Sequence, residues 1–199
     1  KITHEIFDNE IIKIINSLHY VYLILEILRK KRGALNLELP ERKILFNDSG
    51  WPIQIKKIYG LISNKIIEEL MILANVSAAE EIIRYNYPAI YRVHEPPSPE
   101  KYKSLIDIIG IPLANVLIGK VPHPILMNKI LENTKQTADY DMINQSILRS
   151  QSQAKYHNEN KSHFGLALKN YVHFTSPIRR YSDLIIHRQI IEIIINLSL

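Results

Sequence analysis

Four side chains that could handle a phosphate lie close together near the C-terminus: Arg179, Arg180, Asp183 and His187. Just before them, Ser176-Pro177 has the grammar of a helix start, a hydroxyl to accept a free backbone N–H and a proline shaped for the first helical position. The pattern therefore predicts a helix beginning at Pro177 with Arg179 in its first turn. A helix N-terminus carries unpaired N–H groups and partial positive charge, so it attracts phosphate and repels arginine. Two adjacent arginines there imply an anion from outside the chain. At helical spacing Arg179, Asp183 and His187 share one face, and Asp183 can hold a guanidinium oriented for bidentate grip on a phosphodiester. A salt-bridged surface helix with a good cap is the plainer reading of a lone Ser-Pro-x-Arg. Two further groups carry chemistry. Asn64, Glu68 and Asn75 fall at i, i+4 and i+11, so a carboxylate shares a helix face with two amides, a set suited to sugar hydroxyls. Arg92 and His94 alternate onto one face of a short strand.

The longer string from His163 to Arg188 contains His163-Phe-Gly-Leu-Ala-Leu168, His173-Phe-Thr-Ser-Pro-Ile-Arg-Arg-Tyr181, Asp183 and His187-Arg188. It resembles the signature of the ribonuclease II and ribonuclease R (RNB) family, and most of all its ribonuclease R branch. The resemblance extends to Arg32-Gly-Ala-Leu35, Glu68-Glu-Leu-Met-Ile-Leu-Ala-Asn75, Tyr91-Arg-Val-His-Glu-Pro-Pro97 and Arg149-Ser-Gln-Ser-Gln-Ala-Lys-Tyr156, and spans roughly residues 20–190. It implies an α+β fold, mostly helical with a few short strands, in which residues 1–199 are the C-terminal part of an RNB catalytic domain. It implies processive 3′-to-5′ hydrolysis of single-stranded RNA to nucleoside 5′-monophosphates. In its terms Arg179 is the catalytic arginine that stabilises charge on the scissile phosphate, and Glu68 is an active-site residue near the 3′-terminal nucleotide. Arg180, Ser176, Thr175, Tyr181, His173, Arg92 and His94 fall to substrate binding, with Asp183 supporting the arginines. The family's Mg2+ is held by an aspartate cluster earlier in the domain. The aspartates here are scattered and never adjacent, so no metal ligand is assigned to this chain.

These residues depend on a mainly helical frame. Residues 9–32 have helical periodicity through Ile11, Ile12, Ile15, Leu18, Tyr22, Leu25 and Leu28. The Arg29–Arg32 run puts positive charge at the helix end, or lines an RNA path, and Gly33 stops the helix. Leu35, Leu37 and Leu39 alternate as in a strand. A hairpin is expected across 44–55 with Asn47-Asp-Ser-Gly50 as its turn. Residues 61–85 are expected to form a helix burying Ile62, Ile66, Ile67, Leu70, Leu73 and Ala74. A short strand precedes Pro96-Pro97, Ser98-Pro99 starts a helix reaching Ile109, and 139–150 are helical. Gly110, Pro112, Pro122 and Pro124 break up residues 110–135. Ser162 stands where the family usually has glycine, so a positive φ would strain it. Tyr156, Phe174 and Tyr181 are candidate platforms for stacking bases.

Composition bounds the rest. Apolar residues make up 46% and charged residues 23%, a globular profile. Net charge is +5 and the pI is near 9.2, which permits nucleic-acid binding without requiring it. Without cysteine there are no disulfides or thiolate metal sites. No signal-peptide pattern is present, and the apolar run 184–199 is interrupted by His187, Arg188, Gln189, Glu192 and Asn196, so no membrane span is expected there. The resemblance adds a cytoplasmic setting and a monomeric complete enzyme. Lys1 at the start and Leu199 inside a helical pattern lead to the expectation of a piece of a longer protein. Two functional classes follow: part of an exoribonuclease that needs its upstream aspartates, or an inactive remnant or RNA-binding segment. A metal site built from His157, His163, His173 and His187 is a third reading, but their intervals suit no common ligand pattern.

Overall fold

The computed structural model describes residues 9–38, 41–58 and 60–197. Helix α1 covers Asn9–Arg32. Its end is a Schellman motif: Gly33, at φ +79°, donates to the Lys30 carbonyl and Ala34 donates to the Arg29 carbonyl. The chain then runs extended through Leu35 and Leu37, which enter the core without joining a ladder, while Leu39 lies outside the described residues. Strands β1 (Glu41–Phe46) and β2 (Pro52–Ile58) form the expected hairpin, closed by the Asn47 side chain accepting from Ser49 and Trp51 N–H groups.

Helix α2 spans Ile62–Arg84. Its buried face is not the expected stripe: Ile66, Ile72, Ala78, Ala79 and Ile82 are buried, whereas Ile62, Ile67 and Leu73 are exposed. The shift follows from Glu69 and Asn75, both buried on the inner face by polar partners rather than excluded from it. Arg29 pairs with Glu69 at 2.6 Å and Arg32 donates to the Leu166 carbonyl at 3.0 Å, so these two members of the basic run clamp α1 to its neighbours.

Strand β3 (Tyr91–Val93) pairs antiparallel with β4 (Lys155–His157), Arg92 lying opposite Tyr156. Between them come α3 (Pro99–Ile109), capped by the Ser98 hydroxyl as expected, α4 (Ile111–Ala114), α5 (Pro124–Thr134) and α6 (Tyr140–Ser150). Helix α5 is hidden in the stretch that looked merely broken. Pro124 occupies its start and the His123 ring accepts the Ile125 N–H, a cap that sequence patterning does not flag. Helices α3 to α6 enclose one core around Leu105, Leu117, Met127, Ile130 and Ile147. A second core joins α2 to the last helix, α7 (Tyr181–Leu197), through Ala79, Ile82, Val172, Ile186 and Ile193. The mostly helical α+β architecture matches the expectation.

Helix α1 is apolar nearly all round, yet only Tyr22 is buried in it; Ile14 is 60% and Ile27 65% exposed. Among the described residues it is the one helix long and apolar enough to cross a membrane, by length and composition alone.

Ser162 has φ +62°. A left-handed backbone costs a non-glycine residue about 1–2 kcal/mol, partly offset in glycine by the entropy of its unfolded chain. Ser162→Gly is expected to stabilise the fold by about 0.5–1 kcal/mol, read as a higher denaturant midpoint. Glu69→Ala leaves the partly buried Arg29 with only the exposed Glu68, at 3.3 Å, as counter-charge, and is expected to cost about 3 kcal/mol in the same measurement.

Candidate active site

A cleft of about 570 Å³ opens between α2 and the segment leading into α7. Ser63, Asn64, Ile67, Glu68, Met71 and Asn75 come from α2; Leu166, Tyr171, His173 and Arg180 come from the other wall. The face shared by Asn64, Glu68 and Asn75 thus looks into the cleft, as their spacing required. The adjacent glutamates part ways: Glu68 is exposed toward the cleft and touches Arg29 at 3.3 Å, while Glu69 is buried against the same arginine.

The helix expected from Pro177 starts at Tyr181 instead. Ser176 to Arg179 form a turn in which the Ser176 carbonyl accepts the Arg179 and Arg180 N–H groups. Its organiser is Asp183, fully buried in the first turn of α7. One carboxylate oxygen accepts the Ser176 N–H at 2.8 Å and Arg180 Nη2 at 2.7 Å; the other accepts the Ser182 hydroxyl at 3.2 Å. Burial pushes this carboxyl up, but the hydrogen bonds from Arg180 and Ser176 and the Arg180 charge outweigh it and hold the group below its ordinary value. The positive end of the helix is therefore answered by a carboxylate within the chain, not left open for an outside anion. The premise that put Arg179 in a helical first turn is corrected accordingly. Arg179 is exposed at the tip of the turn and does not line the cleft; Arg180 does. Thr175 Oγ1 and Arg180 Nε are buried with no hydrogen-bond partner among the described residues.

Asn75 ties the two walls together. Its amide donates to the Tyr171 hydroxyl at 3.0 Å and accepts the Phe174 N–H at 2.9 Å, so it serves the scaffold rather than a sugar. His187 bonds the Phe174 carbonyl at 2.9 Å and stacks on the Phe174 ring at 4.1 Å, which removes Phe174 as a platform for bases. Tyr156 is partly exposed and Tyr181 largely so.

His94, expected at the substrate, is turned into the fold and does not line the cleft. It is buried, its Nδ1 accepts the Gly165 N–H at 2.9 Å, and its Nε2 bonds the Ser152 carbonyl at 2.9 Å. Both ring nitrogens are used inside the chain. A Cβ on Gly165 would come within 3.0 Å of that ring, so the loop needs glycine there for close approach. Arg92 sits one layer back from the cleft, its guanidinium 4.8 Å over the Tyr156 ring. Tyr156 in turn bonds Nδ1 of His173 at 2.8 Å.

The cleft thus joins Glu68, His173 and Arg180 with Asp183 behind, while Ser176, Thr175, Arg179 and Tyr181 belong to the turn and helix start beside it. Tyr171, and Arg29 beside Glu68, were not foreseen; no local pattern marks them, because their partners lie far away in sequence. Among the described residues no group of three His, Asp or Glu side chains is placed to hold a metal ion. Burial and neighbouring positive charge favour the neutral form of His173 in the cleft and of His163 behind it. Burial, followed by the charge of Arg180, pushes His173 down to about 4; burial and then His94 push His163 down to about 4.

A family model described as an RNB domain matches residues 3–196. Ribonuclease R of Escherichia coli K12 is 39% identical over 183 residues, 90% of this chain and 22% of that protein. Ribonuclease R of Aquifex aeolicus is 39% identical over 171 residues, 84% of this chain and 24% of its own length. The chain therefore spans under a quarter of the length of these curated relatives. The structure of Mycoplasma genitalium RNase R in complex with ribose methylated single-stranded RNA aligns with a TM-score of 0.81 at 28% identity, over 94% of this chain and 29% of that one.

Imidazoles held at about 4 in the fold titrate near ~6.5 once unfolded, so below that pH the unfolded chain binds more protons. Stability is expected to be fully present above about pH 6.5 and to fall toward about pH 4, by up to ~1.4 kcal/mol per pH unit for each of His163 and His173. Denaturant unfolding across that range checks it; a flat profile refutes it.

Proposed function

The chain belongs to the RNB-domain family, and from that premise we propose that it is the C-terminal part of the catalytic domain of an exoribonuclease working from the 3′ end of single-stranded RNA. The observation that carries this reading is the cleft that sets Glu68 on α2 against His173 and Arg180 on the facing segment. RNA needs both chemistries found there: cationic donors for the phosphate and an acceptor for sugar hydroxyls.

In this reading the 3′-terminal nucleotide enters beside α2, where Glu68, steadied by Arg29, accepts from sugar hydroxyls. Arg180, oriented by Asp183, holds a phosphate at the wall. The Arg179 side chain has no hydrogen bond or ion pair among the described residues, so its guanidinium is available to the phosphate that reacts and stabilises the charge developing on it. Divalent ions, Mg2+ by the family's chemistry, would activate water and relieve the leaving oxygen. The described residues offer no ligand set for them, so we assign those ligands to an upstream part of the domain. The same upstream part is the natural cover for the apolar surface of α1 and for the exposed Ile44, Phe46, Trp51, Ile53 and Ile55 of the β1–β2 hairpin.

The test is release of nucleoside 5′-monophosphates from single-stranded RNA with Mg2+. Residues 1–199 alone are expected to release none, and the chain joined to an upstream RNB half is expected to do so. Processive decay by the isolated chain overturns the assignment of metal ligands; inactivity of the joined protein overturns the enzymatic reading. In the joined enzyme Arg179→Ala is expected to lower turnover by about 10²- to 10³-fold, some ~2.7–4 kcal/mol of barrier, with RNA affinity changed far less. Equal losses in rate and affinity would reduce Arg179 to a substrate holder.

A further inference from the structure

Among the described residues His173 is the one imidazole on the cleft wall, and three contacts fix it. The Tyr156 hydroxyl lies 2.8 Å from its Nδ1. Its ring meets Tyr156 edge-on at 5.6 Å and Tyr171 edge-on at 5.8 Å. Tyr171 is itself pinned by Asn75, so the imidazole plane is set from both sides. Nε2 has no protein partner among the described residues and is not buried. A ring present only to fill space would not need a directed hydrogen bond at one nitrogen while the other is left open on a cleft.

The direction of the Tyr156 bond decides which nitrogen carries the proton. A phenol is a better donor than acceptor, and the Arg92 guanidinium over the Tyr156 ring withdraws electron density, which strengthens the O–H as a donor. Burial and the surrounding arginines keep the imidazole neutral, leaving a lone pair on Nδ1 to receive that proton. Nε2 then bears the N–H. Arg180 lines the same cleft as His173 and is the strongest of the charged groups that act on it.

Resting on the exoribonuclease reading, we infer that Tyr156 is a positioning residue whose hydroxyl locks His173 in the Nε2–H tautomer, presenting a neutral donor to an RNA phosphate oxygen beside Arg180. Such a donor adds directional grip without releasing a counterion, so it contributes affinity that salt does not screen, in contrast to an arginine.

Nitrogen-15 NMR of the imidazoles in the 199-residue chain tests the first half. At neutral pH His173 is expected to show a protonated Nε2 and a bare, hydrogen-bonded Nδ1, and Tyr156→Phe, which keeps the ring, is expected to lose that preference. Titration with oligouridylate tests the second half. Its binding is expected to move the Nε2–H resonance, and Tyr156→Phe and His173→Ala are each expected to weaken it about tenfold, with the double variant no worse than either. His173→Gln, which can return an N–H near Nε2, is expected to recover most of the affinity. The salt dependence of binding is expected to stay unchanged in the His173 variants and to drop by about one counterion in Arg180→Ala. An Nδ1–H tautomer, an Nε2 unmoved by bound RNA, or full affinity in Tyr156→Phe overturns the inference while leaving RNA binding intact. Failure of the wild-type chain to bind oligouridylate at all overturns the functional reading, and the inference with it.

Discussion

The Asp183 carboxylate is the constraint on which the site depends. It is completely buried and survives as an anion because a backbone N–H, a guanidinium and a hydroxyl converge on it. Removing such a group from water is costly, and only several well-aligned donors offset it. Each donor fixes something different. The Ser176 N–H fixes the turn, Arg180 fixes a cation at the cleft wall, and the position of Asp183 in α7 relates both to the second core. The arrangement also satisfies the helix N-terminus from within, which frees the arginine at the tip of the turn from any structural duty.

The same device recurs along the rest of that wall. The segment from His163 to Arg180 has almost no regular secondary structure, yet it carries half the cleft. Buried and half-buried polar side chains from elsewhere hold it: His94 on Gly165, Asn75 on Tyr171 and Phe174, His187 on Phe174, and Arg32 on Leu166. Loops are ordinarily the mobile part of a fold. This one is pegged at short intervals by groups that would be left buried and unpaired if the loop moved away, so the cleft wall keeps its shape without a sheet behind it. The adjacent glutamates of α2 divide labour on the same principle, the buried one holding α1 in place and the exposed one left for the cleft.

Positive charge and neutral imidazole occupy the same wall. Arg92, Arg179 and Arg180 all act on His173, and with burial they keep it uncharged. The wall therefore sets a guanidinium beside an uncharged imidazole. Away from the cleft, the apolar surface of α1 and the hairpin is far larger than a single scattered residue would explain.

Much of this was readable in the sequence because it is local. Helix α1 and its glycine stop, the hairpin turn at Asn47–Gly50, the Ser98 cap and the cleft-facing set on α2 all follow from period, cap and turn chemistry within a few residues. The long motif named the family, and Ser162 in a glycine position announced its own positive φ. What the sequence could not determine were pairings between residues far apart in the chain. Asp183 claims the helix end that Arg179 seemed to offer to a ligand, and His94 is spent on Gly165. The inward face of α2 is turned by buried Glu69 and Asn75, whose partners Arg29 and Tyr171 lie 40 and 96 residues away. A side chain's spacing tells which face it shares, but whether that face meets water, substrate or a compensating charge is decided only when distant segments pack against it.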